Sequence, residues 1–502
     1  MVCSSLFFMS FEKPEASALS VKEQVSSSTP CFSLDTLAET ILSELGSGKD
    51  VVLEAYPGFG KTRLAALLLS RAERGVVVTR THKEVEEVFN FLPSTKGVVY
   101  AYGKPKICYK YENFSYGLCR ASVVFGRCSL DFDNKDVAWL AAIFRKPEEV
   151  KEMAKKRNKC LYGALKMLAH KAKKVVATYD YVVSHPALLE QRDLIVFDEA
   201  QTILNYVDEV AVSINNVFVE QLVRELKKSI ETRPIAYALR SIYRKSSGLR
   251  EFIDKLTTML SEVRAESELV SLLEDVVKAY YGKHYHVEGD TYYFLIDTLP
   301  RIARVGRKVF MGAFLPPMFL QSAKKATVIR IEGEPRIKAY IDTSVTTRYE
   351  ERSEELYREL AKKVAERLRE DCGNLVVFPS REVKDAVLKY VPEDVARKII
   401  TDFGKGVPGG GIIVDVAGGR LTEGVNILGL GNVVIAGMPY PEPNPILNLL
   451  SKVYGFDSTY TYLALLSTFQ AVGRIRGSGT AYLLDKRFEA YKSLFPSWIE
   501  VV

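Results

Sequence analysis

Apolar residues follow two alternating rhythms along the first part of the chain. Ser33 precedes Leu34, Leu37, Ile41 and Leu45, spaced three and four apart and closed by Gly46, which predicts an amphipathic helix with a serine N-cap. An apolar run at 51–55 predicts a buried strand, and Leu64, Leu67 and Leu68 continue as a helix face after a glycine-bearing turn. A strand over 75–80, a polar helix over 83–92 and a strand over 97–100 follow. Strands alternating with helices predict a parallel α/β sheet. The alternation stops near Lys104 and resumes at 174–179, so the residues between form an insertion; a strand over 194–197 comes next. From 206 to 282 the spacing is helical, as in Phe252, Leu256, Met259, Leu260 and Val263, a second insertion. A hairpin over 285–296, turning at Glu288-Gly289-Asp290, is expected to lead back to the first core, where a strand over 308–311 ends in Gly312-Ala313-Phe314-Leu315. A charged helix over 349–370 then opens a second α/β unit with strands at 374–378, 411–416 and 432–436.

Composition adds limits. A chain of 502 residues exceeds one core, so roughly two to four domains are expected. Apolar residues at 47% and charged residues at 26% fit a globular protein, and no apolar run reaches the roughly 18 residues of a membrane span. The apolar start over 1–9 lacks the positive charge and the length of a signal peptide, and Met9 is a candidate start. A cytoplasmic or nucleoid-associated protein, neither secreted nor membrane-bound, is expected. The net charge of +7 is unevenly spread: residues 104–174 carry 17 lysines and arginines against 7 acids. Tyr109, Tyr111, Phe114, Tyr116, Phe125, Phe132, Trp139 and Tyr162 interleave with that charge. The mixture suits phosphate neutralisation and base stacking on a nucleic acid; a solvated basic face is the plainer alternative. Seven cysteines, an odd number, argue against a disulfide framework.

The chemistry concentrates after two of the predicted strands. Ala55-Tyr56-Pro57-Gly58-Phe59-Gly60-Lys61-Thr62 places small residues in the turn, where backbone N–H groups can approach phosphate, then a lysine for the β/γ-phosphates and a hydroxyl for Mg²⁺. The strand at 194–197 delivers Asp198-Glu199-Ala200-Gln201, two carboxylates that can hold Mg²⁺ and polarise an attacking water. A second α/β unit without its own phosphate loop suits a partner that closes on the nucleotide and supplies arginine. Cys108, Cys119, Cys128 and Cys160 lack the short knuckle usual for structural zinc. By spacing alone, an iron–sulfur cluster, zinc and unliganded thiols all stay open.

In order along the chain, the phosphate loop, Asp198-Glu199-Ala200-Gln201, Gly312-Ala313-Phe314-Leu315, Glu423-Gly424 and Gln470-Ala471-Val472-Gly473-Arg474 resemble the motifs of a superfamily 2 helicase. With two insertions in the first motor, the earlier one carrying four cysteines, the chain resembles the XPD/DinG family of iron–sulfur DNA helicases over roughly 34–500. Thr79-Arg80-Thr81, Ala177-Thr178-Tyr179-Asp180-Tyr181, Phe378-Pro379-Ser380 and Leu484-Asp485-Lys486-Arg487-Phe488 are further echoes. The resemblance implies two RecA-like α/β motor domains. Residues 33–103, 171–204 and 286–345 would make the first, 346–502 the second, 104–170 an iron–sulfur domain and 205–285 a helical arch, after a loose segment at 1–32. It implies catalysis by Lys61, Asp198, Glu199, Gln470 and Arg474. ATP and Mg²⁺ would be bound by Ala55, Gly58, Phe59, Gly60, Lys61, Thr62, Asp198, Glu423, Arg474 and Arg476. A 4Fe-4S cluster would sit on Cys108, Cys119, Cys128 and Cys160, and DNA on Thr79, Arg80, Thr81, Tyr179 and Ser380. The implied activity is ATP-dependent 5′ to 3′ movement of a monomer on single-stranded DNA or a forked duplex, in repair or replication alongside proteins of those pathways.

The departures from that pattern have consequences of their own. Tyr56-Pro57 stands where the family has Ala-Pro, Gln201 where it has histidine, and Gly312-Ala313-Phe314-Leu315 where it has Ser-Ala-Thr-Leu. The second arginine of the last motif, Arg476, comes one residue early. Residues two apart on a helix point about 200° from each other, so Arg474 and Arg476 face one phosphate only if the helix ends between them. These departures motivate one alternative, a degenerate paralogue that binds DNA and ATP as a scaffold or regulator with weak or no unwinding; another is a motor acting on RNA or on a protein–nucleic acid complex.

Overall fold

The computed structural model describes the chain apart from residues 1, 4, 12–30, 111–131, 144–146, 191, 205–211, 215, 229–231, 263–267, 289–290, 295–306, 316–325, 333–336, 402–405, 420–426 and 476. The described residues fall into two compact units. The larger takes residues up to 202, 303–439 and 464–502 and contains two sheets; the smaller takes 203–302 and 440–463.

The first sheet has eight strands in the order Ser5–Phe11, Ala326–Glu332, Asp50–Ala55, Lys308–Gly312, Leu194–Phe197, Gly75–Thr79, Lys174–Thr178 and Val98–Ala101. All neighbours are parallel except Ser5–Phe11, which pairs antiparallel with Ala326–Glu332 at the edge. The segment 1–32, expected to be loose, thus includes an edge strand, and its residues 12–30 lie outside the described ones. The central strands Gly75–Thr79 and Leu194–Phe197 are buried throughout, as strands covered on both faces must be.

Local chemistry sets the helices around it. Ser33 accepts from the Thr36 N–H and so starts the helix Leu34–Gly46 as its sequence predicts. Thr81 and Glu84 form a reciprocal capping box that opens His82–Phe91, one residue ahead of the predicted start. Arg192, buried, donates to the carbonyls of Ala169, Ala172 and Lys173, tying the end of the helix Tyr162–Lys171 to the sheet. Burial, with the Arg74 charge adding to it, pushes its guanidinium down to about 10 against the pull of Asp193.

The second sheet is wholly parallel, in the order Ile412–Val416, Gly373–Phe378, Leu430–Ile435, Gly479–Leu484, Ile337–Asp342 and Ile499–Val501.

In the smaller unit the helices Asn216–Leu226, Arg233–Lys245, Leu249–Glu262 and Glu268–Tyr281 share a core that includes Leu226, Leu239, Ile253, Leu256 and Val276. The predicted hairpin forms from Tyr285–Glu288 and Thr291–Phe294, but it pairs with Val212–Ile214 and buries Phe294 in this helical core. It therefore does not lead straight back to the first core. Residues 440–463, expected in the second motor, also belong to this unit. No helix among the described residues is long and apolar enough to cross a membrane.

Candidate nucleotide site

The strand Asp50–Ala55 ends in a turn closed by the Phe59 N–H donating to the Tyr56 carbonyl. Gly58 and Gly60 carry φ of 85° and 102°, left-handed values that a β-carbon resists, so glycine is needed at both. The helix Lys61–Arg71 begins directly after Gly60 with no side-chain cap, leaving its first N–H groups for an anion. Lys61 Nζ is buried, donates to the Ala55 carbonyl at 3.1 Å and lies 3.9 Å from a Glu199 carboxylate oxygen. The Thr62 hydroxyl donates to Asp198 at 3.0 Å. Lys61 and Thr62, far in sequence from Asp198 and Glu199, thus cluster with them at the C-terminal ends of two strands that flank Lys308–Gly312, where open α/β sheets bind ligands.

The electrostatics of this cluster are unbalanced. Burial, with the Glu199 and Glu84 charges adding to it, holds the Asp198 carboxyl well above the usual carboxylate range, against the pull of Lys61 and Thr62. Glu84 is also raised, first by burial and in part by Glu199. Lys61 faces the carboxylates of Asp198 and Glu199, and Glu84 adds a third, which Arg80 in part offsets. The hard oxygen donors of Thr62 and Asp198, the excess negative charge and the open helix start fit a divalent cation carrying a phosphate. Glu199 itself has φ of 48°, uncommon for a residue with a side chain and of the kind found at functional sites.

The last motif approaches from the second sheet. A β-carbon on Gly473 would stand 3.0 Å from the ring of Pro57, so this glycine packs against the phosphate loop. Phe314, beyond the strand Lys308–Gly312, meets Phe469 edge to face at 4.9 Å. Gln470 and Arg474 flank that contact, both half-buried. The helix Tyr462–Val472 ends ahead of both arginines, and the Arg474 N–H turns back to the Ala471 carbonyl. The opposed directions expected of a helix running through Arg474 therefore do not apply. Arg476 and Glu423 lie outside the described residues.

The DNA candidates divide. Arg80, Thr81 and Ser380 are half-buried; Ser380 caps Arg381–Leu388 by accepting from the Val383 N–H, and Thr81 caps the helix that follows it. Thr79 and Tyr179 are buried, at 0% and 1% exposure. Thr79 donates to the Thr81 carbonyl, and Tyr179 donates to the Asp198 carbonyl at 2.9 Å, so both side chains brace the site from inside. Alternating apolar and polar residues in the Tyr179 segment carry no signal of that partner.

Cys108 and Cys160 are half-buried, and the Tyr109 hydroxyl donates to Asn158, which brings the two cysteine segments side by side. Cys119 and Cys128 lie outside the described residues. Among the described residues no three His, Cys, Asp or Glu side chains converge as metal ligands.

Residues 357–502 match the family described as the Helicase C-terminal domain. Over 535 aligned residues the chain is 22% identical to the ATP-dependent DNA helicase XPD of Sulfolobus acidocaldarius, covering 91% of this chain and 96% of that protein. A solved XPD helicase superposes with a TM-score of 0.62 at 18% identity, covering 93% of this chain and 99% of the other. The Xpd4 structure from S. tokodaii gives 0.51 at 17% identity, with 93% and 99% covered. The fold is the one these structures share, with two RecA-like α/β domains.

Proposed function

We propose that this chain, XPD/DinG-like in sequence and fold, hydrolyses ATP to move on single-stranded DNA and open a forked duplex. The observation that carries the reading is the convergence of Lys61, Thr62, Asp198 and Glu199 at the phosphate loop, with Gly473 packed against Pro57. ATP with Mg²⁺, when bound, supplies the phosphoryl group to be transferred to water. Lys61 would leave the Ala55 carbonyl to balance phosphate charge, and Thr62 and Asp198 would hold the cation. Glu199 orients a water and accepts its proton. Gln470 and Arg474 would complete the site from the second sheet, which makes hydrolysis depend on the two sheets meeting.

A 4Fe-4S cluster on Cys108, Cys119, Cys128 and Cys160 belongs to this reading, supported by the adjacency of the first and last cysteine segments. Arg80, Thr81 and Ser380 are the side chains offered to DNA, with travel 5′ to 3′ and a setting in repair or replication. Lys61→Ala decides the reading: turnover with single-stranded DNA should vanish while the melting temperature stays, and wild-type turnover would overturn it. Iron and zinc content of the anaerobically purified protein, expected at about four irons per chain, tests the cluster. ATP turnover and strand separation measured on one preparation, with DNA and with RNA, separate a motor from a scaffold and fix the substrate.

A further inference from the structure

Gln201 is 4% exposed and its side chain reaches in two directions. Its Nε2 donates to Glu199 Oε2 at 2.5 Å, while its Oε1 is buried with no hydrogen-bond partner among the described residues. Across from Oε1 lies Gly312, the end of the strand Lys308–Gly312. A β-carbon there would stand 2.8 Å from Gln201 Oε1 and 2.6 Å from Leu315 Cδ2. Any side chain at 312 pushes the amide aside. The two positions are also two of the places where the motifs depart from the family pattern, and in the folded chain they touch.

We propose that Gln201 is a positioning residue that holds the Glu199 carboxylate, and that Gly312 is the glycine that makes room for its amide, so that the two act as one unit. Three observations bear on this. An unpaired buried amide oxygen is unfavourable, so the side chain stays only because a stronger bond holds its other end, here a charge-assisted one. The left-handed backbone of Glu199 persists only where its surroundings impose it, and Gln201 supplies such a constraint two residues on. An amide, unlike a histidine, does not titrate near neutrality, so its grip on the carboxylate is the same across physiological pH. The proposal rests on the reading of Glu199 as the group that orients water.

The test uses the full-length protein, with Gly312→Ala, Gln201→Ala, their double variant and Gln201→Leu. Thermal unfolding without nucleotide reads the contact alone. Gly312→Ala should lower the melting temperature by about 3 °C or more, and by less than half as much in the Gln201→Ala background. Additive shifts would overturn the pairing. Steady-state kinetics read the positioning: Gln201→Leu should lose about tenfold or more in kcat, with affinity for a fluorescent ATP analogue within about twofold. An unchanged kcat, or a loss confined to affinity, would overturn that role. If Lys61→Ala kept its turnover, the nucleotide assignment would fall while the melting cycle still judged the contact.

Discussion

Two aspartates stand at the C-terminal ends of parallel strands, one in each sheet, and both are shut off from solvent. Asp198 follows Leu194–Phe197 and, among the described residues, accepts from the Thr62 hydroxyl and the Glu199 N–H, beside the like charge of Glu199. Asp485 follows Gly479–Leu484 and is enclosed by donors: the Thr346 and Thr347 hydroxyls, the Thr347 and Met438 N–H groups, and the Arg487 guanidinium at 2.7 and 2.9 Å. Burial raises both carboxyls, but at Asp485 Arg487 and the amides outweigh it and hold the group below its ordinary value. The same residue at the same place in two sheets is thus a sparsely compensated carboxyl in one and a satisfied keystone in the other. What distinguishes them is the count of donors, not the depth of burial.

The sharpest way to break this comparison is to remove each charge. Asp198→Asn should cost about 10³-fold or more in ATP turnover, yet leave the melting temperature of the nucleotide-free protein unchanged or higher, because repulsion and desolvation are relieved. Asp485→Ala should do the reverse. Leaving the half-buried Arg487 without this carboxylate, and the buried Thr347 and Met438 N–H groups without their acceptor, should cost about 3–5 kcal/mol of stability, followed by the fluorescence of Trp498, buried next to Phe469. Equal destabilisation by both variants would erase the distinction.

A smaller effect concerns the cation each site uses. Arg487 is built in beside Asp485, whereas Arg474, the cation proposed for the nucleotide, follows Gly473, which packs against the phosphate loop at Pro57. Arg474→Ala should therefore lower DNA-stimulated turnover by about a hundredfold with little change in stability, and Arg476→Ala only modestly. Equal and severe losses would mean that both arginines reach the nucleotide.

The smallest effect is in acid. Because the folded-state pKa of Asp485 is depressed, its contribution is present above the unfolded value of 3.8 and is lost as pH falls through the folded one. Wild-type stability should thus fall more steeply below about pH 4 than that of Asp485→Asn, by urea unfolding at matched pH. Parallel acid limbs would show that the donors around Asp485 do not hold its charge.

The sequence by itself determined the local parts. The spacing of Leu37, Ile41 and Leu45, the cap at Ser33 and the glycines before Lys61 are short-range statements about periodicity, hydrogen bonding and φ, and the structure keeps them. The Asp198-Glu199 pair was legible because a buried strand must deliver its last residues to one edge of the sheet. Tertiary structure alone decided which distant residues meet. Gln201 against Gly312, Phe314 against Phe469, Tyr179 under Asp198 and Ser5–Phe11 on the sheet edge depend on strand order and register, which no window of neighbouring residues encodes. Likewise the end of the last helix at Val472 and the joining of 440–463 to the helical unit were settled by packing, where burial of whole faces outweighs local preference.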